Sequence, residues 1–261
     1  MEHSYSNNKF LFDKKGFLIS KGIVDEYSIK EVFLSLNMIL KKYYKDAKTY
    51  KGWNDIEFHE LMLKIKKNDP KIFSKIYDTM QVSIPLFSLT TQKNISNMAA
   101  HLLSVKSHDL AATGFMLRMD VPFDSKNKLN WHQDNAYYKQ NLDGNNGLVV
   151  WIPMHDVDIE NGTVMAIEGS HELGLITPKR KEKINYVTSE QFVVPDDYIN
   201  HSKQINVVAK QKDIAFFNMN LIHRSGDNTS DKIRFVAGVR YHKMISDDFV
   251  PGRLNYVYSN V

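Results

Sequence analysis

The tetrapeptide Trp131-His132-Gln133-Asp134 sets an imidazole and a carboxylate two residues apart. In extended backbone alternate side chains share a face, so His132 and Asp134 could both reach one ion. A His-x-Asp tripeptide alone reads most simply as a hydrogen-bonded pair on a barrel rim, and its meaning depends on the residues further along the chain. Downstream, the apolar run Ile214-Ala215-Phe216-Phe217-Asn218-Met219-Asn220-Leu221-Ile222 ends at His223, in a polar turn continuing Arg224-Ser225-Gly226-Asp227-Asn228. His223 is the candidate second imidazole. Two His and one carboxylate on one face of an Fe(II) leave three open positions, enough for a bidentate 2-oxo acid and O2. Arg234 lies in the following strand-like segment, opposite in phase to Ile233, Phe235 and Val239. It therefore points away from that apolar face and could pair with a distal carboxylate.

Composition narrows the chemistry further. The 261 residues contain no Cys, which excludes disulfides, thiolate metal sites and cysteine nucleophiles. Any metal must be held by His and carboxylates, and the chain has ten His. The net charge of +4 comes from lysines spread along the chain without a basic block, so nucleic acid is not an expected partner. No apolar run approaches the ~18 residues of a membrane span, and the N-terminus lacks a secretory pattern. A cytoplasmic protein with a small-molecule substrate is the expectation.

The elements that must position these residues fall into two textures. Helical periodicity predicts helices over residues 27–44, 58–67, 72–80 and 95–103. From Gly114 onward, short apolar runs separated by Gly, Asn, Asp and Pro predict strands over 115–119, 148–154, 163–167, 205–209, 213–217 and 233–241. One domain over 1–261 is expected: a mostly β fold with an antiparallel barrel or sandwich core at about 111–245, and a helical region at about 1–110 packed on it.

Four blocks in order resemble the phytanoyl-CoA dioxygenase family of Fe(II)- and 2-oxoglutarate-dependent oxygenases. They are Met116-Leu117-Arg118-Met119-Asp120-Val121-Pro122, then Trp131-His132-Gln133-Asp134, then Trp151-Ile152-Pro153-Met154-His155-Asp156-Val157 running on to Glu168-Gly169-Ser170-His171, and finally His223-Arg224-Ser225 with Arg234 beyond it. The resemblance implies that His132, Asp134 and His223 ligate iron, and that Arg234 and Ser225 hold the distal carboxylate of 2-oxoglutarate. It further implies that the β core is a double-stranded β-helix of jelly-roll or cupin type and that Met116 and Trp151 line the cosubstrate pocket. Lys75 matches a further partner of the cosubstrate only if a gap is allowed. The implied reaction consumes O2 and 2-oxoglutarate, releases succinate and CO2, and oxidises a C–H bond. Halogenating relatives replace the carboxylate ligand with Gly or Ala, whereas this chain keeps Asp134, which favours hydroxylation.

Tyr137, Arg118 and Arg240 are candidate substrate contacts, and the two arginines suggest an anionic small molecule, free or carrier-linked. Tyr138 and His155 lie beside the same blocks. Without the resemblance, Trp151 and Met116 read as core. Two other readings stay open at the level of sequence. One is a cupin-like Zn or Mn hydrolase or sugar isomerase; the other is a non-enzymatic jelly-roll module that binds carbohydrate.

Overall fold

The structure, a computed structural model, describes residues 2–45, 47–124, 128–138, 140–181 and 191–251. Six α-helices precede the β-rich half: α1 Glu2–Lys15, α2 Glu26–Tyr43, α3 Ile56–Asn68, α4 Pro70–Gln81, α5 Ile84–Thr90 and α6 Lys93–Leu102. Local chemistry fixes their ends. Asp25, Asp55 and Asp69 cap α2, α3 and α4 by accepting hydrogen bonds from the backbone N–H groups of Ser28, Glu57 and Ile72. Pro70 opens α4 at a position where no N–H is needed. The four predicted helices coincide with α2, α3, α4 and α6, whereas α1 and α5 were not anticipated. The seven residues of α5 are too few to show a period, and α1 is mostly polar.

The strands are β1 Phe17–Ser20, β2 Leu110–Asp120, β3 Gly147–Pro153, β4 Val164–Ile167, β5 Lys179–Lys181, β6 Gln191–Val193, β7 Gln204–Asn206, β8 Ile214–Asn218, β9 His223–Ser225 and β10 Arg234–Lys243. A five-stranded sheet runs in the order β1-β8-β3-β10-β2 and a three-stranded sheet in the order β7-β4-β9, with antiparallel pairing throughout. A separate hairpin pairs β5 with β6. An antiparallel bridge between His132 and His223 extends the smaller sheet by one more segment.

The period of two sorts the large sheet into two faces. Leu117, Val150, Phe216, Phe235 and Val239 pack against the helices in one cluster with Phe33, Phe58, Met62 and Ile76. Phe235 sits at its centre, with ring centroids 5.0 Å from Trp53 and 5.5 Å from Phe58. Burying a side chain of this size contributes about 1.5–3 kcal/mol. The opposite face presents Val149, Trp151, Phe217 and Val236 to Val164 and Ala166 of the smaller sheet. The cavity described below lies between these layers. No described helix is long and apolar enough to cross a membrane.

Candidate metal centre and cosubstrate cavity

His132 is held in place by backbone. Its N–H donates to the His223 carbonyl at 2.9 Å and its carbonyl accepts from the His223 N–H at 3.0 Å, so the bridge that closes the small sheet also clamps the two imidazoles together. Their ring centroids are 4.2 Å apart. Gln133 points the other way and anchors the segment, donating to the carbonyls of Gly174 and Asn220 and accepting from the N–H of Ile176. Asp134 then opens a 3-10 turn, Asp134–Ala136, rather than continuing a strand. The shared face expected for His132 and Asp134 is kept because the backbone stays extended as far as Gln133. His223, expected in a turn, is the first residue of β9.

The donor set is oriented for a cation. Both Nδ1 atoms meet backbone carbonyls, that of His132 at Asn130 (2.7 Å) and that of His223 at Leu221 (2.9 Å). A carbonyl only accepts, so each Nδ1 carries the proton and each Nε2 presents a lone pair. Burial first, and His223 second, push the His132 pKa down from its usual 6.5 to about 3, so no proton competes for that lone pair near neutral pH. Burial alone would raise the Asp134 pKa, but Arg240 and the neighbouring imidazoles outweigh it and hold the carboxyl below its ordinary range. Asp134 Oδ1 accepts from Arg240 Nη2 at 3.0 Å, while Oδ2 is buried with no hydrogen-bond partner and lies 3.7 Å from His223 Nε2. An orphaned buried carboxylate oxygen is costly unless something occupies it. Among the described residues this trio is the one cluster of three metal-ligating side chains, with ligand atoms all within 4.8 Å of one another. A divalent cation fits it.

Arg234 lies in the same cavity, which is lined by Met116 and Arg118 of β2, Trp151 of β3, Val164 of β4, Phe217 of β8, Ser225 of β9, and Val236 and Gly238 of β10, besides the His-Asp-His trio. Its Nη2 donates to Asp120 Oδ2 at 2.6 Å, whereas its Nε and Nη1 are buried without partners. Donors left unspent beside a metal trio suit an anion. Asp120 also accepts two hydrogen bonds from Arg118, from Nη2 at 2.6 Å and from Nε at 3.2 Å. The two guanidinium groups overcome burial and hold the Asp120 carboxyl far below the usual carboxylate range. Asp120 is a functional residue beyond the candidates of the sequence. The signal was present in Arg118-Met119-Asp120, where the first and third residues share a strand face. A wider pocket of about 320 Å³ shares Arg234 and Ser225 with this cavity and is otherwise lined by residues that include Phe123, Lys128, Asp227 and Asn228.

The remaining candidates fall in different places. Arg240 lines the cavity but is hydrogen-bonded to Asp134, a partnership not foreseen from the sequence. The Tyr137 hydroxyl accepts from the Phe192 N–H, and its ring meets His132 edge-on at 5.8 Å. Tyr138 lies against Arg240, 4.3 Å from ring centroid to guanidinium carbon. His155 is a buried strut: Nδ1 donates to the Asp156 carbonyl and Nε2 accepts from the Phe235 N–H. Lys75 is exposed on α4.

Two antiparallel layers enclosing a His-Asp-His trio give a jelly-roll with a candidate metal centre. The phytanoyl-CoA dioxygenase (PhyH) family profile matches residues 12–236. A probable phytanoyl-CoA dioxygenase of Caenorhabditis elegans is 22% identical over 88% of this chain and 72% of its own, and the peroxisomal phytanoyl-CoA dioxygenase of Bos taurus is 24% identical over 97% and 70%. Among solved structures, the epimerase SnoN in complex with Fe3+, alpha ketoglutarate and nogalamycin RO superposes with a TM-score of 0.63 at 16% identity, covering 93% of this chain and 85% of SnoN. EvdO2 from Micromonospora carbonacea var. aurantiaca, complexed with 2-oxoglutarate, gives 0.59 at 13% identity, covering 96% and 93%. At such identities these structures speak to the fold. The chain belongs to the phytanoyl-CoA dioxygenase family and is a 2-oxoglutarate-dependent non-haem iron oxygenase.

Proposed function

We propose that the protein hydroxylates a C–H bond of a small, anionic or carrier-linked metabolite, coupled to conversion of 2-oxoglutarate and O2 to succinate and CO2. The observation that carries this reading is the pairing of two orphaned groups in one cavity, Asp134 Oδ2 and the unspent Nε and Nη1 of Arg234. His132, Asp134 and His223 would hold iron through two Nε2 atoms and Oδ2. Arg234 and Ser225 would receive the distal carboxylate of 2-oxoglutarate, with Met116 and Trp151 forming the walls. When bound, iron and 2-oxoglutarate supply the oxidising equivalents for C–H cleavage. The chain's own work is to fix the imidazole tautomers, exclude water from a cavity of about 60 Å³ and align the reactants.

Retention of Asp134 favours hydroxylation over halogenation. Arg118, in the cavity wall, and Tyr137, edge-on to His132, remain substrate candidates. The continuous cluster joining the helices to the large sheet supports action of the chain as one domain. A Zn or Mn hydrolase would have no use for the spare donors of Arg234, and a carbohydrate module would have no use for the oriented trio.

Anaerobic addition of Fe(II) and 2-oxoglutarate should produce the visible charge-transfer band of the chelate. His132→Ala should lose the metal, whereas Arg234→Ala should keep iron and weaken 2-oxoglutarate binding at least tenfold, the loss of about 1.5–3 kcal/mol typical of a charged hydrogen bond. No band in the wild type, or equal loss of iron from both variants, would refute the proposal.

A further inference from the structure

Resting on that reading, the site poses a further question: a carboxylate can chelate a cation through both oxygens, and doing so here would fill a position that the cosubstrate needs. We propose that Arg240 is a positioning residue: by occupying Oδ1 of Asp134 it leaves Oδ2 alone to face a bound cation, so that the carboxylate would supply one oxygen and leave room for 2-oxoglutarate and O2.

The guanidinium is fixed at three points. Its Nη2 donates to Asp134 Oδ1 at 3.0 Å, its Nη1 donates to the Gly114 carbonyl at 3.2 Å, and its plane lies against the Tyr138 ring at 4.3 Å. Side-chain exposure is 8% for Arg240 and 4% for Asp134, so water does not compete for the bond. The seat itself is built by an irregularity in the large sheet. β10 pairs Gly238 with Met116 but Arg240 with Thr113, so β2 carries one extra residue across this step. That is a β-bulge, a device that re-aims side chains beside active sites. Gly114 lies in the bulge with φ +62°, and a Cβ there would stand 2.6 Å from Tyr138 Cε1. Glycine is thus required twice, for the left-handed backbone and for the space that the tyrosine fills. Arginine suits the task because its rigid fork serves two acceptors at once, whereas a lysine ammonium could serve Asp134 without also tying down the bulge.

The test compares Arg240→Met, Arg240→Gln and Arg240→Lys by Fe(II) content, by 2-oxoglutarate affinity read from the anaerobic charge-transfer band, and by the position of that band, with thermal melting as a control for folding. The expected result is iron content within a few-fold of wild type, a 2-oxoglutarate Kd raised about tenfold or more in Met and Gln with a shifted band, and substantial recovery in Lys. Wild-type affinity and band position in Arg240→Met would overturn the proposal, as would parallel loss of iron and melting temperature in all three variants, which marks a merely structural role. Should Arg240→Met fail to fold, Tyr138→Leu removes the surface under the guanidinium without touching its charge, and an unshifted band there overturns the proposal equally. A wild type without any band would instead sink the iron and 2-oxoglutarate reading, and this proposal with it.

Discussion

Asp120→Asn exchanges a shared anion for an isosteric amide. In the native structure Asp120 is 13% exposed and takes one 2.6 Å hydrogen bond from Arg118 through Oδ1 and another from Arg234, itself 3% exposed, through Oδ2. Asparagine keeps one acceptor, and its NH2 then faces the second guanidinium, donor against donor. Two neighbouring cations would also lose their common counter-charge. Removing one partner of a buried ion pair costs about 3–5 kcal/mol. For a chain of this size each kcal/mol lowers Tm by about 2–4 °C, so the expected fall is roughly 6–20 °C. Adding 2-oxoglutarate with a redox-inert divalent metal should narrow the gap, because the dianion now meets the Arg234 guanidinium without its carboxylate partner. Thermal denaturation followed by circular dichroism, with and without the ligands, measures both effects. A Tm within 2 °C of wild type, or a gap that widens on adding 2-oxoglutarate, would refute the assignment of Asp120 as the bridge beneath Arg234.

Two further outcomes come from other parts of the fold. His59 is buried between α3 and β10, with Nε2 at the Trp53 carbonyl and Nδ1 accepting from the Ile233 N–H, and burial pushes its pKa from 6.5 down to about 4. The unfolded chain then binds the extra proton, so this contribution is complete above pH 6.5, is lost as pH falls towards 4 and is constant below that, about 3 kcal/mol in all. Urea denaturation at pH 7.5 and 5.0 should show about 2 kcal/mol less pH dependence in His59→Gln than in wild type, and identical slopes would exclude this role. Gly114→Ala forces a side chain into left-handed backbone against Tyr138, at a cost of about 1–2 kcal/mol from the backbone alone, so Tm should fall by roughly 2–8 °C. An unchanged Tm would mean that the bulge relaxes freely.

The helix caps, the main helices and the alternating strands of the large sheet were legible because they are local: a cap needs three residues, a helical stripe about a dozen, and a strand face every second residue. β9 and the bridge at His132 were not legible as strands, because three residues in one case and one in the other show no period. Their extended form depends on pairing with each other. The same distinction applies within the site. The residue types and order of His132, Asp134, His223 and Arg234 stand in the chain, and the absence of cysteine limits any metal to nitrogen and oxygen ligands.

Only the tertiary structure decided which atoms are free. The carbonyls of Asn130 and Leu221 select the imidazole tautomers, and Asp120 takes one donor of Arg234 and leaves two. Arg240, a substrate candidate in one dimension, becomes in three the partner of the Asp134 carboxylate across a bulge whose glycine is far away in sequence. Sequence carries ligand identity because chemistry is a property of the side chain. Orientation, protonation and pairing are properties of neighbours, and folding is what supplies the neighbours.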